Sequence, residues 1–371
     1  MSAARPPLRV ALDAHVVGRR KTGNETYLLG LAAGLLARSD VQVTAYLGPD
    51  VAWPVAGAAP RIRRLWSPRP ELRIAVELPV RARLDRVDLL HVQYVAPPLA
   101  GLPVVTAVHD VSFEDEPGFF PRPMRWRLRS TIRMSVRRSA VIVTPSEFSR
   151  GRILRHFDVD PGRVLVTPPA VLPGPRPAAG ESRQLLASLG VAAPFVLVVG
   201  DLHPRKNVPR LIEAVARARS EGTELGVVLA GKRAWGAADV DAAVERNDAN
   251  DWVVSVGYVD GPSLAALYAE ASVVAYVSLY EGFGLPMIEA MASGTPVVAA
   301  DRTALPEVAG GAALLVDPLD VPAIAAALAR AATDPGLRGE LRAVGLRRAA
   351  TFTTARTAET TMVAYRQAIG L

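Results

Sequence analysis

Two carboxylates and two glycines in one stretch, YEGFGLPMIEAMASGTPVVAAD (280–301), carry the clearest chemical signal in the chain. Glu281 stands immediately before Gly282-Phe283-Gly284, and Glu289 follows further on. The apolar run ASVVAYVS (271–278) ahead of them reads as a buried strand. A helix is expected from about Leu285, with Pro286 in its first turn, where a missing N–H does no harm. Leu285, Ile288 and Met291 would line one face, Gly294 would end the helix, and PVVAAD (296–301) would form the next strand. The turn glycines then lie where unpaired N–H groups of a helix start point outward, which suits an anion. The two carboxylates suit hydroxyls instead. Taken alone, an ordinary strand–helix–strand crossover with a glycine turn explains the same residues, so the rest of the chain must decide.

A second group, GDLHPRKN (200–207), follows the apolar strand PFVLVVG (194–200). Arg205 and Lys206 fall just before a helix, at the carboxyl end of that strand, where open α/β sheets bind ligands. A planar guanidinium beside a point-charge ammonium suits a diphosphate. By itself the pair is also consistent with a solvated basic turn. Phosphate at one turn and hydroxyls at flanking carboxylates together suggest a sugar nucleotide.

The elements that must position these groups alternate between strand and helix. LRVALDA (8–14) is a first strand, followed by a basic glycine loop containing Gly18, Arg19, Arg20, Lys21, Gly23 and Asn24, then a helix from about Glu25 to Ala37. VQVTAYLG, RIRRLW, VDLLHVQ, PVVTAVHD, AVIVTPS and RVLVTPP read as further strands. ELRIAVELPVRARL is expected to be a helix broken near Pro79, and RPMRWRLRSTIRMSVRRS and SEFSRGRILRHF are helices. AVLPGPRPAAGES (170–182) reads as a linker. The alternation then restarts, with strands PFVLVVG, LGVVLAG, WVVSVGYV and SVVAYVS and helices at about 207–222, 237–245, 262–271, 321–332 and 337–351. A last amphipathic stretch has Ala355, Met362, Ala364 and Tyr365 on its less polar side. The expected fold class is α/β, with a first doubly wound domain over 1–175, a second over 183–353, and a helix at 354–371 packing back on the first. A length of 371 residues fits two domains of roughly 100 to 200 residues each.

Composition narrows the classes. Hydrophobic residues make up 50% and aromatics only 6%, so the core must be built from Ala, Val and Leu. The absence of cysteine excludes disulfides and thiolate zinc sites. With no secretory leader and no apolar run near the roughly 18 residues of a membrane span, a cytoplasmic protein is expected. The net charge of +7 suits phosphate-bearing substrates, an anionic membrane face or nucleic acid. Lys21, Lys206 and Lys232 are the three lysines among many arginines.

Together the motifs resemble glycosyltransferase family 4, whose members have the GT-B architecture of two Rossmann-like domains facing a cleft. The resemblance spans nearly the whole chain: the first glycine loop, VHD, VTPSEFSR, GDLHPRKN, LAGK, SVGYV and EGFGLPMIEAMASGTPVVA. The strings HVQYVAPP and PRKN are similar to bacterial mannosyltransferase-like members. The resemblance implies a retaining, metal-independent transfer of a hexose from a nucleotide diphosphate sugar, with no cofactor. Arg205 and Lys206 would bind the diphosphate, and Glu281 the hydroxyls of the donor sugar. Backbone N–H groups of Gly282, Phe283, Gly284 and Leu285 would contact sugar and phosphate, and Glu289 would bridge the ribose hydroxyls. Gly200, Gly231, Lys232, Val256, Gly257, Tyr258 and Val259 would lie near the base and diphosphate. Gly23 would admit the diphosphate, and His109 would touch the transferred sugar. His15, Asn24, His91, Tyr94 and Asp110 are acceptor-side candidates. His203 departs from the family pattern, where many members carry glutamate.

The resemblance further implies GDP-mannose as donor and a lipid-linked saccharide, growing saccharide or small-molecule acceptor. UDP-glucose or UDP-GlcNAc donors, and sugar-nucleotide binding without catalysis, remain alternatives. Lys206→Ala or Glu281→Ala is expected to abolish transfer with thermal unfolding near that of the parent. Asp158-Val159-Asp160 and Asp239-Val240-Asp241 fall in a turn and a helix start and are read as chance matches to a metal motif. The histidines show no zinc spacing. A nicotinamide enzyme would need G-x-G-x-x-G after a strand, and the chain has none. The arginine helix 122–138, with Trp126, is either a solvated face or a peripheral membrane contact. No nucleic-acid-binding module is recognisable.

Overall fold

The computed structural model describes residues 6–19, 22–55, 57–172 and 177–371. Arg20 and Lys21 of the basic loop, and residues 173–176 of the expected linker, lie outside them. The chain divides into two compact units, one running to Leu172 and including Phe352–Leu371, the other ending at Thr351.

In the first unit seven strands form one sheet: β1 Leu8–Asp13, β2 Val41–Leu47, β3 Arg61–Arg64, β4 Leu89–Gln93, β5 Val104–Ala107, β6 Val141–Thr144 and β7 Val164–Val166. Their order is β3-β2-β1-β4-β5-β6-β7, and every pairing is parallel. In the second unit β8 Phe195–Val199, β9 Gly226–Ala230, β10 Val253–Gly257, β11 Val273–Tyr276, β12 Val297–Ala300 and β13 Leu314–Val316 run in the order β10-β9-β8-β11-β12-β13, again all parallel. Strands covered on both faces read as continuous apolar runs, and FVLVV, VVAY and VVAA are buried throughout. The order reverses between β1 and β4 in one sheet and between β8 and β11 in the other. Crevices at the carboxyl ends of strands on either side of such a reversal are where these sheets take ligands.

The C-terminal helix Thr354–Ala368 belongs to the first unit. Its N-cap Thr353 accepts a hydrogen bond from the Arg356 N–H, and Thr357 donates its hydroxyl proton to the Pro168 carbonyl at 2.8 Å. Ala358, Met362, Ala364 and Tyr365 are buried, while Ala355 is exposed, so Ala358 takes the core position expected of Ala355. The helix packs on helix Thr22–Leu36 through Gly34, where a Cβ would come within 2.0 Å of the Thr354 carbonyl oxygen. Glycine is the residue that lets the two backbones approach this closely.

Several elements differ from expectation. Helix Thr22–Leu36 begins three residues early, so Gly23 and Asn24, both weak helix formers, sit in its first turn. The segment 70–84 is not broken at Pro79. It opens a π-helical turn at Arg73–Glu77, closed by the Leu78 N–H on the Arg73 carbonyl, and Pro79 sits in the first turn of helix Leu78–Leu84. Helix Ala179–Ser188 lies partly inside the expected linker. Its N-cap is Ala178, with no side-chain cap, so no start signal marks it, yet Ser182 and Leu186 are buried. Helix Leu305–Ala309 and β13 also went unforeseen, both being too short to show a period.

Candidate active site

The strand-end turns of the second unit bring the two chemical groups together. After β11 the chain runs through Ser278 to Glu281; after β8 it runs through Gly200 into the turn Pro204–Lys206. The Leu279 N–H donates to the Arg205 carbonyl at 2.7 Å, joining the turns directly. Asn207, in the left-handed conformation at φ 60°, donates its amide to the Val277 carbonyl at 3.1 Å and the Pro318 carbonyl at 2.7 Å. His203 accepts the Arg205 N–H on Nδ1 at 3.2 Å. The histidine that departs from the family pattern thus caps the turn carrying the two cations.

Lys206 donates to Glu281 Oε1 at 2.8 Å and to the Tyr276 hydroxyl at 2.9 Å, and its ammonium lies 4.4 Å from the Tyr276 ring centroid. Arg205 Nη1 is 3.8 Å from Glu281 Oε2. The Lys206 and Glu281 side chains are only 10% and 7% exposed. Burial alone would raise the Glu281 carboxyl, but the charges of Lys206 and Arg205 and hydrogen bonds from Lys206 and Ser278 overcome it and hold it at about 2. Burial lowers Lys206, opposed by Glu281. Glu281 is therefore first a clamp on both cations, a role that the spacing of the sequence did not suggest.

Helix Leu285–Ser293 starts at Gly284, at φ 109°, where a Cβ would lie 2.9 Å from Leu305 Cδ2 and 3.3 Å from Tyr276 Cε1. Pro286 stands at the helix start and Gly294 at its end, as expected. The buried face carries Met287, Ile288, Ala290 and Met291, with Leu285 half-buried. Gly282 and Phe283 are buried. Glu289 is half-buried and accepts the Tyr268 hydroxyl proton at 2.8 Å; burial raises its carboxyl. At the next strand ends a Cβ on Gly200 would come 3.0 Å from Lys206 Cε, and one on Gly231 would come 2.0 Å from the Gly200 carbonyl oxygen. The Lys232 N–H donates to Asp201, and its ammonium is 5.6 Å from the ring of exposed Tyr258, beside half-buried Val259.

The first unit has a separate polar cluster at the carboxyl ends of β4 and β5. His109 is hydrogen-bonded through Nε2 to Gln93 Oε1 at 3.0 Å, and Gln93 Nε2 donates to the Asn24 carbonyl at 3.3 Å. Tyr27 and Tyr94 meet the His109 ring edge-on, at centroid distances of 4.5 and 5.3 Å. Burial pushes His109 down to about 4, against the pull of Asp110. Tyr94 holds φ at 61°, a strained setting for a non-glycine residue. His15 Nδ1 lies 3.0 Å from Asp13, which also has buried Arg73 at 3.9 Å. Asp110 accepts hydrogen bonds from both the N–H and the hydroxyl of Ser112, two residues on. Among the described residues, outside its own helical turn and chain neighbours, no atom lies within 4 Å of a Cβ built on exposed Gly23, so packing among them does not demand glycine there.

His91 does not face an acceptor. It is fully buried, with Nε2 on the Tyr27 hydroxyl at 3.1 Å and Nδ1 on the Tyr365 hydroxyl at 2.9 Å, and burial lowers it to about 3. A strand flanked by strands on both sides and covered on both faces turns every side chain inward, and both ring nitrogens are satisfied there. Tyr276, Tyr268, Asn207 and Gln93 were missed. Asn207 follows the cations and Gln93 precedes Tyr94, but residue type alone gave neither a partner.

The profile of glycosyltransferase family 4 matches residues 22–173, and that of glycosyl transferases group 1 matches residues 193–334. The O-antigen chain mannosyltransferase B of Escherichia coli is 35% identical over 266 residues, covering 71% of this chain and 70% of that protein. The chain belongs to glycosyltransferase family 4. It is a glycosyltransferase. The MMP alpha-(1->4)-mannosyltransferase of Mycolicibacterium hassiacum is 33% identical over 286 residues, covering 72% of this chain and 66% of that protein. A sucrose-phosphate synthase from Thermosynechococcus elongatus superposes with a TM-score of 0.74 at 23% identity, covering 97% of this transferase and 98% of the other chain. The two sheets, each with the doubly wound order, are those of the GT-B fold. Among the described residues no helix of the transferase is long and apolar enough to cross a membrane, and no group of three acidic or histidine side chains could hold a metal ion.

Proposed function

We propose that the enzyme transfers mannose from GDP-mannose to a hydroxyl acceptor with retention of anomeric configuration. The observation that carries donor binding is the joining of Arg205, Lys206 and the Gly284 helix start at the β8/β11 reversal. Breaking a sugar–phosphate bond builds negative charge on the leaving diphosphate. Preorganised cations and helix N–H groups stabilise that charge without reorganising. Lys206 has three N–H bonds and spends two on Glu281 and Tyr276, which leaves one for a phosphate oxygen. Glu281 also takes donor-sugar hydroxyls, Glu289 the two ribose hydroxyls, and Lys232, Tyr258 and Val259 flank the base. The leaving phosphate itself receives the acceptor proton on the same face of the sugar. Mannose is favoured because the Escherichia coli and Mycolicibacterium hassiacum relatives described above are named as mannosyltransferases.

Calorimetry against GDP-, UDP- and dTDP-sugars tests this. GDP-mannose should bind most tightly, and anomeric NMR of the product should show the donor configuration. Preference for a UDP-sugar would overturn the donor, and no nucleotide binding would overturn the site.

The acceptor is a growing or lipid-linked saccharide or a small molecule, taken by the first unit near His15, Asn24, Tyr94, His109 and Asp110. Helix Arg122–Arg138 makes peripheral contact with an anionic membrane: Trp126 is 73% exposed, and Arg127, Arg129, Arg133 and Arg137 are exposed on the same helix. The protein should sediment with phosphatidylglycerol vesicles and not with phosphatidylcholine, and Trp126→Ser with Arg129→Ser should weaken that several-fold. Equal sedimentation with both lipids would reject the contact.

A further inference from the structure

The chain Asn24–Gln93–His109 fixes more than a side-chain position. A backbone carbonyl can only accept a hydrogen bond, so the Gln93 atom facing the Asn24 carbonyl must be its NH2 group. The other end of the same amide, the carbonyl oxygen Oε1, then faces His109 Nε2 at 3.0 Å. Two acceptors do not bond to each other, so Nε2 must carry the proton. In the neutral ring this leaves Nδ1 with a bare lone pair. Among the described residues no hydrogen bond reaches that Nδ1. Tyr27 and Tyr94 flank the ring, their planes at 72° and 76° to it. Gln93 itself is 6% exposed, which keeps water from competing for its amide.

We infer that Gln93 is a positioning residue that locks His109 in the Nε2–H tautomer, so that Nδ1 accepts a hydrogen bond from a hydroxyl of the bound sugar. The tautomer follows from the structure alone; the sugar contact rests on the proposed function. The anchor of the lock is the first turn of helix Thr22–Leu36, the turn that also holds Gly23. The orientation of the ring and the placement of that turn are therefore coupled through one amide. A glutamine is suited to this because its two ends have opposite hydrogen-bonding sense. A carboxylate would offer two acceptors, and an aliphatic side chain none.

Two substitutions separate the roles. Gln93→Met keeps the length of the side chain and removes both hydrogen bonds. Gln93→Glu keeps an acceptor for Nε2–H and brings a negative charge to the ring. Side-chain 15N NMR of the full-length protein should show His109 as the Nε2–H tautomer in the parent and as a mixture with Nδ1–H in Gln93→Met. Gln93→Glu should retain Nε2–H and take up a proton at higher pH than the parent. Turnover with the best nucleotide sugar should fall about tenfold in kcat in Gln93→Met, with KM for the donor little changed. An Nδ1–H tautomer in the parent, or an unchanged tautomer in Gln93→Met, would overturn the inference, and if Gln93→Met does not fold the parent spectrum and Gln93→Glu decide. A shifted tautomer with unaltered turnover would uphold the lock and overturn the contact of His109 with the sugar.

Discussion

Replacing Lys206 with methionine will destabilise the second unit as well as cut transfer, whereas the sequence leads one to expect unfolding near that of the parent. The ammonium is the nearest cation to a carboxylate that is 7% exposed. Removing it leaves a buried charge with only Arg205, 3.8 Å away, to compensate. Breaking a buried pair from one side costs about 3–5 kcal/mol. The remaining arginine keeps the expected loss near the lower end, about 3 kcal/mol. The double variant Lys206→Met with Glu281→Gln should recover part of it, because no uncompensated carboxylate remains. Chemical denaturation of the four proteins measures the coupling directly. The pH dependence has a definite sign. Glu281 is held at about 2 in the folded state, below its ordinary 4.5, so its contribution is complete above that ordinary value and disappears as the pH falls towards 2. In Lys206→Met the acid loss should be smaller and complete at a higher pH, because without the ammonium the carboxyl lies less far below its ordinary value. Transfer should fall by about one to two decades in Lys206→Met, since a charged contact to the leaving group contributes roughly 1.5–3 kcal/mol. Unfolding of Lys206→Met indistinguishable from the parent would show that the pair is not coupled, and retained turnover would reject the site.

The same pair shows how far the sequence could be read. Arg205, Lys206, Glu281 and the glycine turn were legible because anion binding at a strand end needs those residue types close to a helix start. That a carboxylate of one turn grips the cations of the other was not legible, because the partners are 75 residues apart and only the β8/β11 pairing brings them together. Most strands were legible as apolar runs, since a doubly covered parallel sheet buries both faces of its central strands. The same property concealed His91. Nothing in LLHVQ says whether a histidine in such a run is a ligand contact or the filling between two tyrosines, and one of those tyrosines, Tyr365, comes from the far end of the chain. Helix Ala179–Ser188 escaped for the opposite reason: it has no cap and follows a proline-rich stretch. Gln93 carried no signal at all, because its role depends on which atoms face its two amide ends.

Gly231→Ala should be the most damaging single methyl that the second unit can receive near the site. The Cβ would fall 2.0 Å from the Gly200 carbonyl oxygen, 2.4 Å from its carbonyl carbon and 2.9 Å from the Asp201 nitrogen. All three are backbone atoms, so no side chain can swing away to make room. The backbone around them is also pinned: the Gly200 N–H donates to the Ala230 carbonyl at 2.9 Å and the Gly231 N–H to the Gly257 carbonyl at 2.8 Å. Relief therefore requires β8 and β9 to part at their ends. Overpacking of this kind costs about 3 kcal/mol or more when the neighbours cannot yield. The displaced segment leads straight into the turn that holds Arg205 and Lys206, and Gly200 already leaves Lys206 Cε only the room that a missing side chain gives. Donor affinity should accordingly fall more than tenfold even at temperatures where the variant remains folded. Gly180→Ala, where no atom of the described residues outside its own helical turn and chain neighbours lies within 4 Å of the new methyl, is the control and should bind as the parent does without loss of stability. Equal unfolding of the two variants would mean that the strand ends are not in the contact described, and a stable Gly231→Ala with undiminished donor binding would remove this turn from the site.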